Sequence, residues 1–118
     1  MSKVYENEEM TKGQFLLQKL RNMARWVEQE VGKENLPVDI IAGIADRTEL
    51  EACAFAGALQ ANKEEVTNRN WSGLLQRVRE TKEIPPAVGE VMDTIYTRNA
   101  MHDKFWRYMD LFVEVAAQ

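Results

Sequence analysis

Residues 84–118 read IPPAVGEVMDTIYTRNAMHDKFWRYMDLFVEVAAQ, and the reading of this stretch decides the fold. Pro85 and Pro86 cannot continue a helix from the residues before them, so they punctuate the chain. The 32 residues from Ala87 to Gln118 contain no proline, and they form the longest uninterrupted helix-compatible run in the sequence. Val88, Val91, Ile95, His102, Trp106, Met109 and Val113 make a stripe at helical spacing. The stripe is interrupted around Arg98 and Asn99, where a break into two helices is expected. Phe105, Tyr108, Leu111, Phe112 and Val115 fall on neighbouring and opposite faces. A surface helix shows one apolar stripe with polar residues opposite; a helix apolar on most sides is enclosed by its own domain or used to bind something.

The preceding chain also reads as helices. Thr11 and Gln14 have the spacing of a capping box, and Leu16, Leu20, Met23, Val27 and Val31 then advance along one face. Gly32 is a natural stop. Pro37 suits the first turn of a second helix carrying Val38, Ile41, Ile44 and Ala45 inward. Thr48 with Glu51 opens a third helix rich in small residues, on which Cys53, Gly57 and Ala61 form a stripe where a neighbouring helix is expected to approach closely. Asn62 with Glu65 repeats the capping signature, and Val66, Trp71, Leu74, Leu75 and Val78 extend the pattern to about Lys82, with a kink or a fresh start expected at Ser72 and Gly73. No alternating β-branched run reaches strand length. The expectation is an all-α domain, a bundle of five or six helices over residues 11–118, behind a flexible tail of residues 1–10 whose Lys3, Glu6, Glu8 and Glu9 leave little to bury.

Composition narrows the function. Lys+Arg number 15 against 19 Asp+Glu, a net charge of −4, which gives no field for wrapping a phosphate backbone. No apolar run approaches the ~18 residues needed to cross a bilayer. Cys53 is the only cysteine, so no intrachain disulfide forms. No charged-then-apolar leader opens the chain, so the expected location is the cytoplasm and Asn70-Trp71-Ser72 is a chance sequon. One histidine and one cysteine cannot assemble a zinc site, so no metal and no cofactor is expected. His102 lies on the apolar stripe and reads as a packed residue, and Cys53, among alanines and phenylalanine, as a small core residue. The six glycines are scattered and form no phosphate loop,. No acid, base and nucleophile set stands out, so no enzymatic activity is expected.

Two binding readings remain. In the first, the C-terminal helix captures another protein, or a second copy of the chain in a homodimer, through Phe105, Trp106, Tyr108, Leu111 and Phe112, because exposed aromatic side chains give large contact area at low entropic cost. The protein would then be an adaptor, an inhibitor or an accessory regulator. In the second, residues 52–71 matter. Phe55-Ala56-x-x-Leu59-Gln60-Ala61-Asn62-Lys63-x-x-Val66-Thr67 resembles a DNA-reading helix-turn-helix, with Gln60 where that motif commonly has its turn glycine,. The resemblance implies a transcriptional regulator that contacts nucleic acid through Lys63, Thr67, Asn68 and Arg69, although Glu64 and Glu65 bring negative charge to the same helix. The first reading is preferred.

Overall fold

Thr11 starts the described helices as its spacing requires. Its hydroxyl accepts the Gln14 amide at 3.1 Å, while the Gln14 side chain accepts the Thr11 amide at 2.9 Å. This reciprocal cap satisfies two of the donors that every helix start leaves open. The computed structural model describes residues 10–35, 46–84 and 86–118, and among these there are six α-helices and no strand. They are α1 (Lys12–Val31), α2 (Glu49–Ala61), α3 (Lys63–Thr67), α4 (Trp71–Glu80), α5 (Pro86–Tyr96) and α6 (His102–Ala116), with 3-10 turns at Lys33–Asn35 and Asn99–Met101. The expected helix after Pro37 and the expected tail, apart from Met10, lie outside the described residues.

The helix ends follow from side-chain chemistry. Gly32 closes α1 at a φ of 89°, which glycine alone tolerates freely, and its amide donates to the Glu28 carbonyl at 2.8 Å,. A second capping box forms at Thr48 and Glu51. The third expected box, at Asn62 and Glu65, does not form: the Asn62 side chain turns back and donates to the Ala58 carbonyl at 2.8 Å, closing α2. The fresh start expected near Ser72 lies one residue earlier, at Trp71, where the Asn70 side chain accepts the Gly73 amide at 3.2 Å. A Cβ on Gly73 would come within 2.5 Å of the Asn70 amide nitrogen, so the glycine makes room for this cap. The break expected around Asn99 is present. Arg98 is extended, and the chain turns through Asn99–Met101 into α6.

The core is built around α2, which packs against both α1 and α6. Ala52, Phe55, Ala56 and Leu59 are the buried face of α2. The two alanines keep that face thin, so the large rings of α6 come close, and Phe55 meets Phe112 edge to face at 5.3 Å,. The stripe of Cys53, Gly57 and Ala61 was expected to be the close-packed one, and the structure corrects this. Gly57 and Ala61 are exposed, and nothing lies within 4 Å of a Cβ on Gly57. Small residues occur on both sides of α2, and only the bulky Phe55 and Leu59 tell which side is buried. The helix α1 runs antiparallel to α6: the Lys12 ammonium donates to the carbonyls of Ala116 and Gln118, capping the end of α6, while Trp26 lies beside Tyr108,. No helix among the described residues is long and apolar enough to cross a membrane.

Candidate partner-binding surface

Most of the aromatic load of α6 belongs to the core. Phe105 and Phe112 are 0 % exposed and Trp106 is 7 % exposed. The expectation that these three anchor a partner is therefore corrected: they touch their own chain, Phe112 against Phe55 of α2 and Phe105 and Trp106 against Tyr96 at the end of α5. Phe105 is ringed by Trp71, Tyr96 and Trp106 at 4.9 to 5.7 Å. Tyr108 and Leu111, the other two expected contacts, are only half-buried.

Those two residues define a surface. Lys104, Arg107, Tyr108 and Leu111 recur at intervals of three, one and three, which sets them on one side of a helix. They line a shallow groove of about 320 Å³. The Lys104 ammonium lies 5.2 Å over the ring of Trp26, and the Tyr108 ring lies 5.8 Å from the same indole,. Arg107 is tied to Asp103 at 2.8 Å, with both side chains largely in solvent. Burial pushes the Tyr108 hydroxyl above its ordinary range,. The arrangement offers an apolar floor with two cations at its rim. A roomier depression of about 540 Å³ along α1 is walled mainly by Gln14, Gln18, Asn22, Arg21 and Arg25 and has no aromatic ring in its lining.

A second cluster is structural. Trp71, Tyr96 and His102 form a three-ring stack, with Trp71 and Tyr96 at 4.1 Å and 9° and Tyr96 and His102 at 4.0 Å and 21°. His102 Nε2 lies 3.2 Å from the Tyr96 carbonyl oxygen. Tyr96 is sandwiched between the other two rings, so both of its faces are filled. The stack thus joins α4, α5 and the start of α6. Burial raises the Tyr96 hydroxyl above its ordinary range, while a hydrogen bond from Trp106 and the charge of Arg69 pull the other way.

The residues singled out for DNA lie on a very short helix and the turn that follows it. The helix α3 spans five residues, about 7 Å at the standard rise. Asn62 alone separates α3 from α2, where a helix-turn-helix has a turn of three or four residues. Lys63, Thr67 and Asn68 are exposed. Arg69 is committed elsewhere: at a positive φ of 53°, its guanidinium grips both oxygens of Asp110 at 2.8 and 2.9 Å and stands 5.2 Å over the Trp106 ring. Among the described residues, no three His, Cys, Asp or Glu side chains gather closely enough to hold a metal ion. Cys53 is a free, half-buried thiol.

The groove was only partly visible in the sequence. Tyr108 and Leu111 were found through their apolarity, whereas Lys104 and Arg107 carried a signal of their own in the same helical spacing. Trp26 carried none, since its place beside α6 depends on how α1 crosses it. Compared with protein-family models, curated proteins and solved structures, the chain matches none.

Proposed function

We propose that this protein is a non-enzymatic binding module of the cytoplasm, an adaptor, inhibitor or accessory regulator, that captures another protein molecule through the outer edge of α6. One observation carries the reading: Tyr108 and Leu111 remain half-exposed on one side of α6 beside Lys104 and Arg107, after the rest of the aromatic helix has been enclosed. Tyrosine with an arginine neighbour is a pairing that protein interfaces favour, because the ring supplies apolar area and a hydroxyl with few torsions to freeze. The groove is shallow and open, which suits a side chain or helix from a partner better than a small molecule enclosed on most sides.

Affinity capture from a native lysate, with and without nuclease, tests this. The wild-type chain should retain a partner regardless of nuclease, and Tyr108→Ala with Leu111→Ala should lose it while circular dichroism stays unchanged. Retention that nuclease abolishes, or that the double variant leaves intact, would count against the reading.

A further inference from the structure

Resting on that reading, we infer that the occupant of the α6 edge is a second copy of this chain, docked antiparallel about a twofold axis level with Met109. The inference comes from charge and register. Lys104, Arg107, Leu111 and Glu114 are spaced three, four and three apart, the repeat that presents one continuous stripe to a partner helix. The acids Asp103 and Asp110 beside this stripe are already engaged, by Arg107 and Arg69 respectively. Among the described residues, Lys104 has only the face of Trp26 as a partner. Glu114 is exposed and has no hydrogen-bond or ion-pair partner among the described residues. Among the described residues the stripe therefore ends in a cation and an anion without an ion-pair partner, ten residues or about 15 Å apart,.

Between two copies of the chain, the antiparallel arrangement is the one that satisfies both ends. An antiparallel pair centred on residue 109 sets each Lys104 opposite Glu114 of the other copy and each Arg107 stem against Leu111, with Tyr108 beside the seam. A parallel pair would stack Lys104 on Lys104 and Glu114 on Glu114. An acidic foreign segment would match Lys104 and meet repulsion from Glu114. A twofold contact is also self-complementary, so every favourable pair occurs twice, and opposed helix dipoles add to it. The contact is short and has one aliphatic and one aromatic side chain per copy, which places it among weak, transient interfaces.

Light scattering and sedimentation velocity on the intact chain, from about 1 µM to about 1 mM, span the range in which such a contact would be half-formed. The mass should rise from 13.6 kDa toward twice that value. Lys104→Glu should raise the dimer dissociation constant about tenfold or more, as should Glu114→Lys, since each places like charges opposite one another twice per dimer. The double variant should return to within about threefold of wild type, because the swap restores both pairs. Both side chains are solvent-facing, so circular dichroism should show every variant folded. A chain that stays at 13.6 kDa throughout, a dimer indifferent to either charge reversal, or a double variant no better than the singles would overturn the inference. Of these, a strict monomer that still captures a different protein through Tyr108 and Leu111 removes this inference alone, whereas loss of that capture as well removes the proposed function with it.

Discussion

The Arg69 guanidinium holds both carboxylate oxygens of Asp110, at 2.8 and 2.9 Å, and so fastens the turn between α3 and α4 to the outer side of α6. The same guanidinium donates to the Val66 carbonyl at 3.0 Å. Asp110 raises the Arg69 pKa above its ordinary value through this hydrogen bond, so the guanidinium keeps its charge. The left-handed backbone at Arg69 is costly for any residue with a Cβ, and these contacts hold it there.

Asp110→Asn should therefore destabilise the fold by about 0.5 to 1 kcal/mol, the scale of a good but solvent-exposed ion pair. Arg69→Gly loses the pair and relieves the backbone strain, and should be close to neutral by comparison. Arg69→Glu should be the worst of the three. Chemical denaturation at low and high salt checks the order, and the Asp110→Asn penalty should shrink as salt rises.

Two adjacent residues separate core from surface. Phe112→Ala removes a ring with no solvent exposure and should cost about 3 to 5 kcal/mol, a large share of the stability of a domain this size. Leu111→Ala should cost well under half of that. Thermal melting of the two variants distinguishes them; equal losses would mean that Leu111 is as deeply packed as its neighbour.

Gly57 offers a test of which side of α2 is wet. Because no atom lies within 4 Å of an added Cβ, Gly57→Ala should stabilise the protein by about 0.8 to 1 kcal/mol through helix propensity. Gly57→Leu should gain a similar amount rather than clash. A lower melting temperature for Gly57→Leu would show that another surface covers this stripe.

The partly buried tyrosines weaken the fold in alkali. Burial raises Tyr96 and Tyr108 in the folded state above the value of about 10 that tyrosine has when unfolded,. The folded state then holds more protons than the unfolded state between those values, so stability falls as pH rises through and above about 10 and is unaffected by these groups below it. Denaturation midpoints measured between pH 8 and 11.5 should decline less steeply for Tyr96→Phe with Tyr108→Phe than for wild type.

Local chemistry explains what the sequence revealed. Thr11 and Thr48 announced their helices because a capping box needs only two side chains three residues apart, and the break near Asn99 announced itself through an interrupted stripe. Asn62 has the same local signature as Thr48 and behaves differently, since its side chain finds the end of α2 before the start of α3. Periodicity placed Phe105 and Phe112 on α6 but could not say what lay above them. For Phe112 that depended on Ala52 and Ala56, whose smallness lets α2 come close, and for Phe105 on Trp71 and Tyr96 from α4 and α5. The groove was half-legible for the same reason: Tyr108 and Leu111 are local facts, and Trp26 beneath Lys104 is a tertiary one.

The most direct test of binding at the edge of α6 is a photo-crosslinking amino acid placed in turn at Leu111, Phe112 and Gly57 of the full chain, irradiated in living cells. Binding through the outer edge of α6 predicts a discrete crosslinked species at position 111, a second copy or another protein, and none at the core position 112 or the far-side position 57. Identical background at all three positions would contradict it.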